Sequence, residues 1–120
     1  MTLARIGIAC PDTALFPNRK AHWAVNKRAR DVQKREAYFV AKSAGWVKPN
    51  YHVHDVHLTL TFCAPSRTSR VDLDGFLSAA NGAIDGLSAC LDVDDSLFSY
   101  TLRRGEKSKA GGVIIDAEIR

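Results

Sequence analysis

The chain has 120 residues, of which 46% are hydrophobic and 25% are charged, and its formal net charge is +4. This length suits a single domain, residues 1–120, and the composition is that of ordinary globular proteins, which excludes an intrinsically disordered chain. The excess of Lys and Arg over Asp and Glu suits a polyanionic partner, although a solvated basic surface has the same composition.

The cysteines and the hydropathy pattern bear on the cell compartment. No apolar run approaches the roughly 20 residues of a membrane span, and the N-terminus lacks the apolar core and cleavage site of a signal peptide. Cys10, Cys63 and Cys90 are odd in number and widely spaced, so they suggest neither a disulfide framework nor a zinc knuckle. We therefore expect a cytoplasmic protein with reduced, mostly buried thiols.

The first half of the chain predicts a strand, a basic helix and a second strand. The first strand spans Leu3 to Ala9 and precedes a Pro-Asp turn. A basic amphipathic helix is predicted from Val25 to Ala44, where Gly45 ends it. Val56 to Cys63 alternates apolar and polar residues, which indicates a half-buried strand. The apolar positions of the predicted helix are Val25, Ala29, Val32, Phe39 and Val40.

The second half predicts one long helix and two further strands. The helix covers Leu73 to Leu91, a strand follows over Leu97 to Arg103, and the last strand spans Val113 to Ile119. The segment Gly105 to Gly112 is predicted to be a hairpin loop between these two strands. The apolar face of the helix comprises Leu73, Phe76, Leu77, Ala80, Ile84, Leu87 and Leu91. The predicted fold class is α+β, with a small mixed four-stranded sheet and two helices packed on it, in the order strand, helix, strand, helix, strand, strand.

Two acidic pairs flank the predicted second helix. Asp72 and Asp74 lie at its start, and Asp94 and Asp95 follow its end. A carboxylate at a helix N-terminus often merely caps the helix, and this is the simpler interpretation of each single Asp. A helix of about eighteen residues is roughly 27 Å long, so the two pairs meet only if the chain folds back after Cys90. We predict that it does.

Four converging carboxylates would form a site for a divalent ion. Clustered carboxylates repel one another unless a cation or a proton relieves the repulsion, and hard oxygen ligands in small number suit Mg²⁺ or Mn²⁺. Such an ion lowers the pKa of bound water and neutralises charge on a scissile phosphate. The pattern therefore favours a metal-dependent nuclease, with one or two ions.

With these residues the sequence resembles the RusA family of Holliday junction resolvases, especially its phage-encoded members. The resemblance covers nearly the whole chain. The matching segments are Pro17-Asn18-Arg19, His22-Trp23, Arg70-Val-Asp72-Leu-Asp74, Asp85-Gly86-Leu87, Val93-Asp94-Asp95-Ser96 and Gly111-Gly112. The spaced acidic motifs are the more specific part of this pattern, whereas the glycine and proline matches are weak by themselves.

The resemblance implies a homodimeric, magnesium-dependent endonuclease of bacterial or phage origin that acts in DNA recombination and repair. Such an enzyme cuts branched DNA, in particular four-way junctions, by paired incisions. By motif position Asp72, Asp74 and Asp95 would be the catalytic metal carboxylates, with Asp94 beside them as a further ligand.

Two positions depart from the family pattern. Gly75 stands where the family usually has Asn, and the usual Lys of the following helix falls on Asn81 or on Ser78, depending on the alignment. Because a lysine near the scissile phosphate stabilises developing negative charge, its loss could lower turnover while metal and DNA binding persist. The alternatives are therefore a non-catalytic protein that binds DNA junctions, and a small structural or interaction protein.

Basic residues provide candidate DNA contacts on the first predicted helix, in the loops and near the third strand. Their simpler interpretation is a solvated helix face and a loop tip. Trp23 could stack on a base, but we interpret it as a core anchor, and Trp46 as structural. The candidate DNA-binding residues are Asn18, Arg19, Lys20, Lys27, Arg28, Arg30, Arg70, Arg103, Arg104, Lys107 and Lys109.

The histidine-rich segment suggests two further enzyme classes, and both fit poorly. In an extended strand His52 and His54 share one face while His57 lies on the other, so the three do not readily bind one transition metal ion. His57-Leu-Thr59 matches one half of the H-x-T signature of two-histidine phosphoesterases, but the chain has no second copy.

Overall fold

Four strands form one mixed sheet in the computed structural model, which describes residues 1–16, 22–65 and 72–120. In sequence order the strands are β1 (Ile6–Ile8), β2 (Val56–Cys63), β3 (Phe98–Arg104) and β4 (Gly112–Ile119). Their order across the sheet is β1, β4, β2, β3. The predicted α+β class with a small mixed sheet is confirmed.

Strand β2 lies at the centre of the topology. It pairs in parallel with β3, so that Val56 faces Phe98, and it pairs antiparallel with β4. The predicted hairpin between the last two strands is wrong, because β2 lies between them. The connection instead crosses the end of β2, where the N–H of Gly105 donates to the carbonyl of Phe62 at 2.9 Å. A Cβ on Gly105 would lie 2.6 Å from Cys63 Sγ, so this crossing leaves no room for a side chain.

The alternation of β2 places one face of the sheet in the core. Val56, Leu58, Leu60 and Phe62 are buried, while the residues between them are half-buried on the opposite face. Alternate residues of β4 join the same core, which consists mainly of β-branched and aromatic side chains suited to a pleated surface. The prediction of a half-buried strand over Val56–Cys63 is confirmed.

Helix α1 (Trp23–Ser43) has nearly the predicted length, but it packs through a different face. Of the predicted apolar positions, Val25, Val32 and Phe39 are 47%, 58% and 57% exposed, whereas Ala29 is half-buried and Val40 packs against the core. The buried positions are Gln33, Ala37 and Ala41. Small residues lie here because glycines of the neighbouring helix bring the two backbones together. A Cβ on Gly82 would lie only 2.7 Å from the carbonyl oxygen of Arg30.

The predicted long helix is divided into α2 (Leu73–Ala79) and α3 (Asn81–Leu91), with Ala80 between them at φ −96° and ψ 6°. Gln33 of α1 bridges the break. Its amide nitrogen donates to the carbonyl of Ala79 at 3.0 Å, and its amide oxygen accepts from the N–H of Ala83 at 3.1 Å. The buried glutamine therefore satisfies two backbone groups that the break leaves without helical partners. The predicted apolar face is otherwise confirmed at its buried positions, Phe76, Ala80, Ile84, Leu87 and Leu91.

The two tryptophans have different environments. Trp46 is buried and donates from Nε1 to the carbonyl of Ala4 at 2.8 Å, which confirms its structural interpretation. Trp23 is 71% exposed at the start of α1, so its interpretation as a core anchor is wrong.

Two further predictions concern the cysteines and the hydropathy of the helices. Cys10, Cys63 and Cys90 are free and half-buried. Within the described ranges, no helix has the length and apolar character required to span a membrane.

Candidate functional site

The candidate site residues lie at the two ends of the sheet. We call the end at which β2 finishes, near Cys63, the upper end, and the end at which it begins, near Val56, the lower end. Phe76 of α2 stacks on Phe62 with ring centroids 4.7 Å apart, and Phe16 contacts Phe76 at 5.4 Å. The beginning of α2 therefore lies at the upper end.

Asp72 and Asp74 are exposed at this upper end. Asp72 has the extended N-cap conformation, yet its side chain accepts no capping hydrogen bond from α2. Asp12, by contrast, accepts from the N–H of Ala14 at 2.9 Å. Within the described ranges, neither Asp72 nor Asp74 forms an ion pair. Other aspartates do: the pairs are Arg5–Asp116, Lys27–Asp31, Lys48–Asp92 and Arg120–Asp55. The simple capping interpretation therefore does not account for Asp72.

The second acidic pair lies at the lower end. Asp94 and Asp95 directly precede Phe98, which pairs with Val56 at the beginning of β2. The distance along β2 from Val56 to Phe62 is about 20 Å, since a strand rises roughly 3.3 Å per residue. The prediction that the two acidic pairs meet within one chain is therefore wrong. The reason is that β3 runs parallel to β2, so the chain must return to the lower end before β3 begins.

The described part of the chain forms no three-ligand metal site within one copy. Among residues 1–16, 22–65 and 72–120, no group of three or more His, Cys, Asp or Glu side chains is arranged to hold a metal ion. An ion bound by the described acidic residues of a single copy would thus be held by one acidic pair together with water. Mg²⁺ is commonly bound in this way, through one or two carboxylates, waters and substrate phosphates.

The two members of the lower pair have different roles. The carboxylate of Asp94 accepts from the N–H of Ser96 at 2.8 Å and caps a short 3₁₀ helix (Asp95–Leu97). This backbone hydrogen bond is the main cause that lowers the pKa of Asp94. Asp95 is exposed and has no such cap. Asp95 lies within hydrogen-bonding reach of Asp94 and is the member of the pair that does not cap the backbone.

Asp85 is a further exposed acidic residue, on α3. Burial raises the pKa of Tyr100 on β3, and the nearby carboxylates of Asp95 and Asp85 raise it further. Asp85 is thus close enough to Tyr100 to act on the same phenol as Asp95. Helical spacing could have indicated it, because exposed polar residues recur every three or four positions along α2 and α3. They are Asp74, Ser78, Asn81 and Asp85.

Both alignments of the missing lysine fall on this exposed stripe. Ser78 and Asn81 are exposed and lie between the two carboxylates of the stripe. The hydrogen bonds from Ala80 to Phe76 and from Ile84 to Ala80 preserve helical spacing across the break. A lysine at either position would therefore point toward solvent beside acidic side chains rather than into the core.

Several basic candidates share the upper end with Asp72 and Asp74. Arg103 and Arg104 pair with the last residues of β2 and are exposed. Lys107 and Lys109 are exposed on the crossing connection, which is tied to the end of β2 by the bond from Ser108 N–H to the carbonyl of Ala64. This arrangement places positive charge at the same end of the sheet as the first acidic pair.

The basic residues of α1 also begin near the upper end, since the side chain of Asn26 donates to the carbonyl of Ala14 at 3.0 Å. Lys27 pairs with Asp31 at 2.9 Å, whereas Arg28 and Arg30 are exposed on the same helix. The remaining candidate DNA contacts lie outside the described residues. These are Asn18, Arg19, Lys20 and Arg70.

His57 belongs to a hydrogen-bonded row on the open face of the sheet. Its Nδ1 lies 2.8 Å from Ser99 Oγ and its Nε2 lies 2.7 Å from Thr101 Oγ1. Ser99 in turn donates to Asp55. His52 and His54 contact each other before β2 begins, with ring centroids 4.7 Å apart. Both ring nitrogens of His57 therefore have partners on β3.

Comparison with known proteins adds little to this description. A scan against protein-family models finds no match, and a search of curated proteins finds no relative. Among solved structures, the chain is similar to the periplasmic domain of Helicobacter pylori MotB (residues 97–256). The identity is 17%, the alignment covers 94% of this chain and 79% of that chain, and the TM-score is 0.43. A similarity at this level supports no inference about activity.

Proposed function

We propose that this protein is a magnesium-dependent endonuclease that resolves four-way DNA junctions, and that Asp72 and Asp74 bind the ion. The observation that carries the proposal is the state of Asp72, which occupies an N-cap position without capping. Asp72 and Asp74 are both exposed, and among the described residues neither forms an ion pair, so both carboxylates are accessible to a cation from solvent. The RusA-like motif around these residues supports the same assignment.

The donor set fits Mg²⁺. Asp72 and Asp74 supply two hard oxygen ligands, and Mg²⁺ retains waters that a phosphate oxygen can replace. When bound, the ion would supply an activated water and neutralise charge at the scissile phosphate. Mn²⁺ accepts the same ligands.

The basic residues of the upper end would hold the DNA. Arg103 and Arg104 form charge-assisted hydrogen bonds to phosphates most readily, because a guanidinium offers several donors in a fixed fork. Lys107, Lys109 and the arginines of α1 extend the positive surface along the backbone of the bound strand. Contacts of this kind position DNA without reading its sequence, which suits an enzyme that recognises junction shape.

A second candidate function is junction binding without cleavage. The observation that favours it is that Ser78 and Asn81 carry no charge. These are the two positions at which the family lysine would project beside Asp74. Without a cation there, developing negative charge on the phosphate has less stabilisation. The two functions share DNA binding and differ only in bond breakage.

Cleavage of a synthetic four-way junction in Mg²⁺ tests the proposal. We expect symmetric nicks from the native protein and none from Asp72→Asn, which keeps the size of the side chain but loses its charge. The matched control is Asp92→Asn, since Asp92 is an exposed aspartate paired with Lys48 at 2.8 Å at the lower end. Cleavage that survives Asp72→Asn contradicts the proposed site, and a gel shift of the junction without nicking favours the second function.

A further inference from the structure

Helix α1 carries an apolar stripe on its exposed side. Val25, Val32 and Phe39 follow one another at intervals of seven residues, and all three are exposed. Because an α-helix has 3.6 residues per turn, residues seven apart lie almost on one line along its surface, and this stripe is about 21 Å long. Single exposed apolar residues are ordinary, but an aligned set of them marks a surface for interaction.

A basic row runs along one side of the stripe. The third residue after each member of the stripe is a cation, and these cations are Arg28, Arg35 and Lys42, all exposed. None of them forms an ion pair with a residue in the described part of the chain. In heptad notation the stripe occupies the d positions and the cations occupy the g positions. In paired helices the d residues form the apolar seam, and charges at g flank it.

A groove of about 380 Å³ borders the stripe on its other side, between α1 and residues 9–15. Glu36 lies in this groove and accepts from the N–H of Ala9 at 3.2 Å, so its carboxylate already has a partner. Side chains of a helix that lies along α1 can enter such a groove, whereas the flat surface of a bilayer cannot. The apolar lining comprises Val25, Ala29 and Val32 on α1, and Pro11 and Leu15 opposite.

We propose that α1 docks an acidic amphipathic helix of a partner protein. The apolar residues of that helix would pack on Val25, Val32 and Phe39, and its carboxylates would pair with the basic row. Charge complementarity selects this occupant, because the cations that flank the seam attract an acidic helix. An antiparallel α1 from a second copy would place basic row against basic row, which is unfavourable. The surface includes neither Asp72 nor Asp74, so the inference does not depend on the proposed function.

Fluorescence anisotropy with a synthetic helix tests the proposal. The probe is a labelled peptide of three heptads with Leu at positions a and d and Glu at e and g, whose like charges prevent pairing with itself. A second peptide has Lys in place of each Glu. We expect the native protein to bind the acidic peptide with a Kd on the order of micromolar and the basic peptide at least about tenfold more weakly. No binding of the acidic peptide at about a hundredfold higher concentration overturns the proposal.

Charge reversal on α1 tests the location of the site. Val32→Glu should abolish binding of the acidic peptide, and the double variant Arg35→Glu, Lys42→Glu should bind the basic peptide more tightly than the acidic one. The matched control is Lys34→Glu, the same charge change at an exposed position, which lies about 200° around the helix from Val32. It should leave both affinities nearly unchanged. Folding of each variant is checked by circular dichroism. A loss of acidic-peptide binding in Lys34→Glu as large as in Arg35→Glu assigns the binding to net charge and overturns the proposal.

Two further measurements test other occupants of the stripe. Sedimentation with phosphatidylcholine vesicles that contain phosphatidylserine tests an anionic membrane, and analytical ultracentrifugation of the chain alone tests a second copy. We expect Val32→Glu to leave both results unchanged. Vesicle binding that requires Val32 and is not displaced by the acidic peptide assigns the stripe to a membrane, and self-association that requires Val32 assigns it to a second copy. Either result overturns the proposal.

Discussion

Replacement of Gln33 by Met should reveal how much the bridge across the α2–α3 break contributes to stability. Gln33 is buried, and its side chain satisfies the carbonyl of Ala79 and the N–H of Ala83. Met has nearly the same volume and helix propensity as Gln, so the substitution removes both hydrogen bonds without creating a large cavity.

The expected loss follows from the two backbone groups left unsatisfied. Each buried group that loses its partner costs about 1–3 kcal/mol, so the loss of two partners in Gln33→Met should lower the free energy of unfolding by about 2–6 kcal/mol. With a urea m-value of about 2 kcal/mol per molar for a small domain, the unfolding midpoint should fall by about 1–3 M. Urea denaturation followed by circular dichroism measures this shift.

The matched control is Arg35→Met, which places the same side chain on the exposed surface of α1. It should change the stability by no more than about 0.5 kcal/mol. If Gln33→Met is as stable as this control, the two backbone groups are satisfied in another way, and the explanation of the buried glutamine is wrong.

Three other predictions follow from particular contacts. Gly82→Ala should destabilise the protein by about 1–3 kcal/mol, because its Cβ would press on the backbone of α1, whereas Gly7→Ala, with 3.9 Å to its nearest neighbour, should be nearly neutral in the same urea assay. The pKa of Asp94 is lowered in the folded state, so its stabilising effect is present above the unfolded pKa and is lost as pH falls through the folded value. Thermal unfolding of Asp94→Ala should therefore differ from the native protein at neutral pH and converge with it in acid, and a pH-independent difference would refute this. Asn81→Lys should raise the rate of junction cleavage, and a lack of gain, with folding intact, counts against the alignment that places the lysine there.

Strand β2 and the extent of α1 follow from local patterns in the sequence. Alternation over Val56–Cys63 identifies β2, because one face of the sheet is buried and the other is open. The extent of α1 follows from its composition and from Gly45, which has a φ of +91° just after the helix. Both elements are determined by residues that are close together in the sequence, so the hydrophobic periodicity is enough to predict them.

Features that depend on distant partners could not be predicted in this way. The face of α1 that is buried depends on two features of the neighbouring helices, the close approach at Gly82 and the break at Ala80. Because of them, Gln33 is a core residue and the apolar Val32 is exposed. The position of β3 beside β2 could not be predicted either, because the alternation of apolar and polar residues in a strand does not show which strand it pairs with. For the same reason the sequence predicts the acidic residues of the site but not their separation between the two ends of the sheet.

Direct binding of a divalent ion is the sharpest test of the account, and Mn²⁺ serves because its free form is quantified by electron paramagnetic resonance. Titration of the native protein should remove Mn²⁺ from the free pool. The double variant Asp72→Asn, Asp74→Asn should lose this binding, while Asp92→Asn should retain it. Equal Mn²⁺ binding by the native protein and the double variant would contradict the assignment of the ion to the upper end of the sheet.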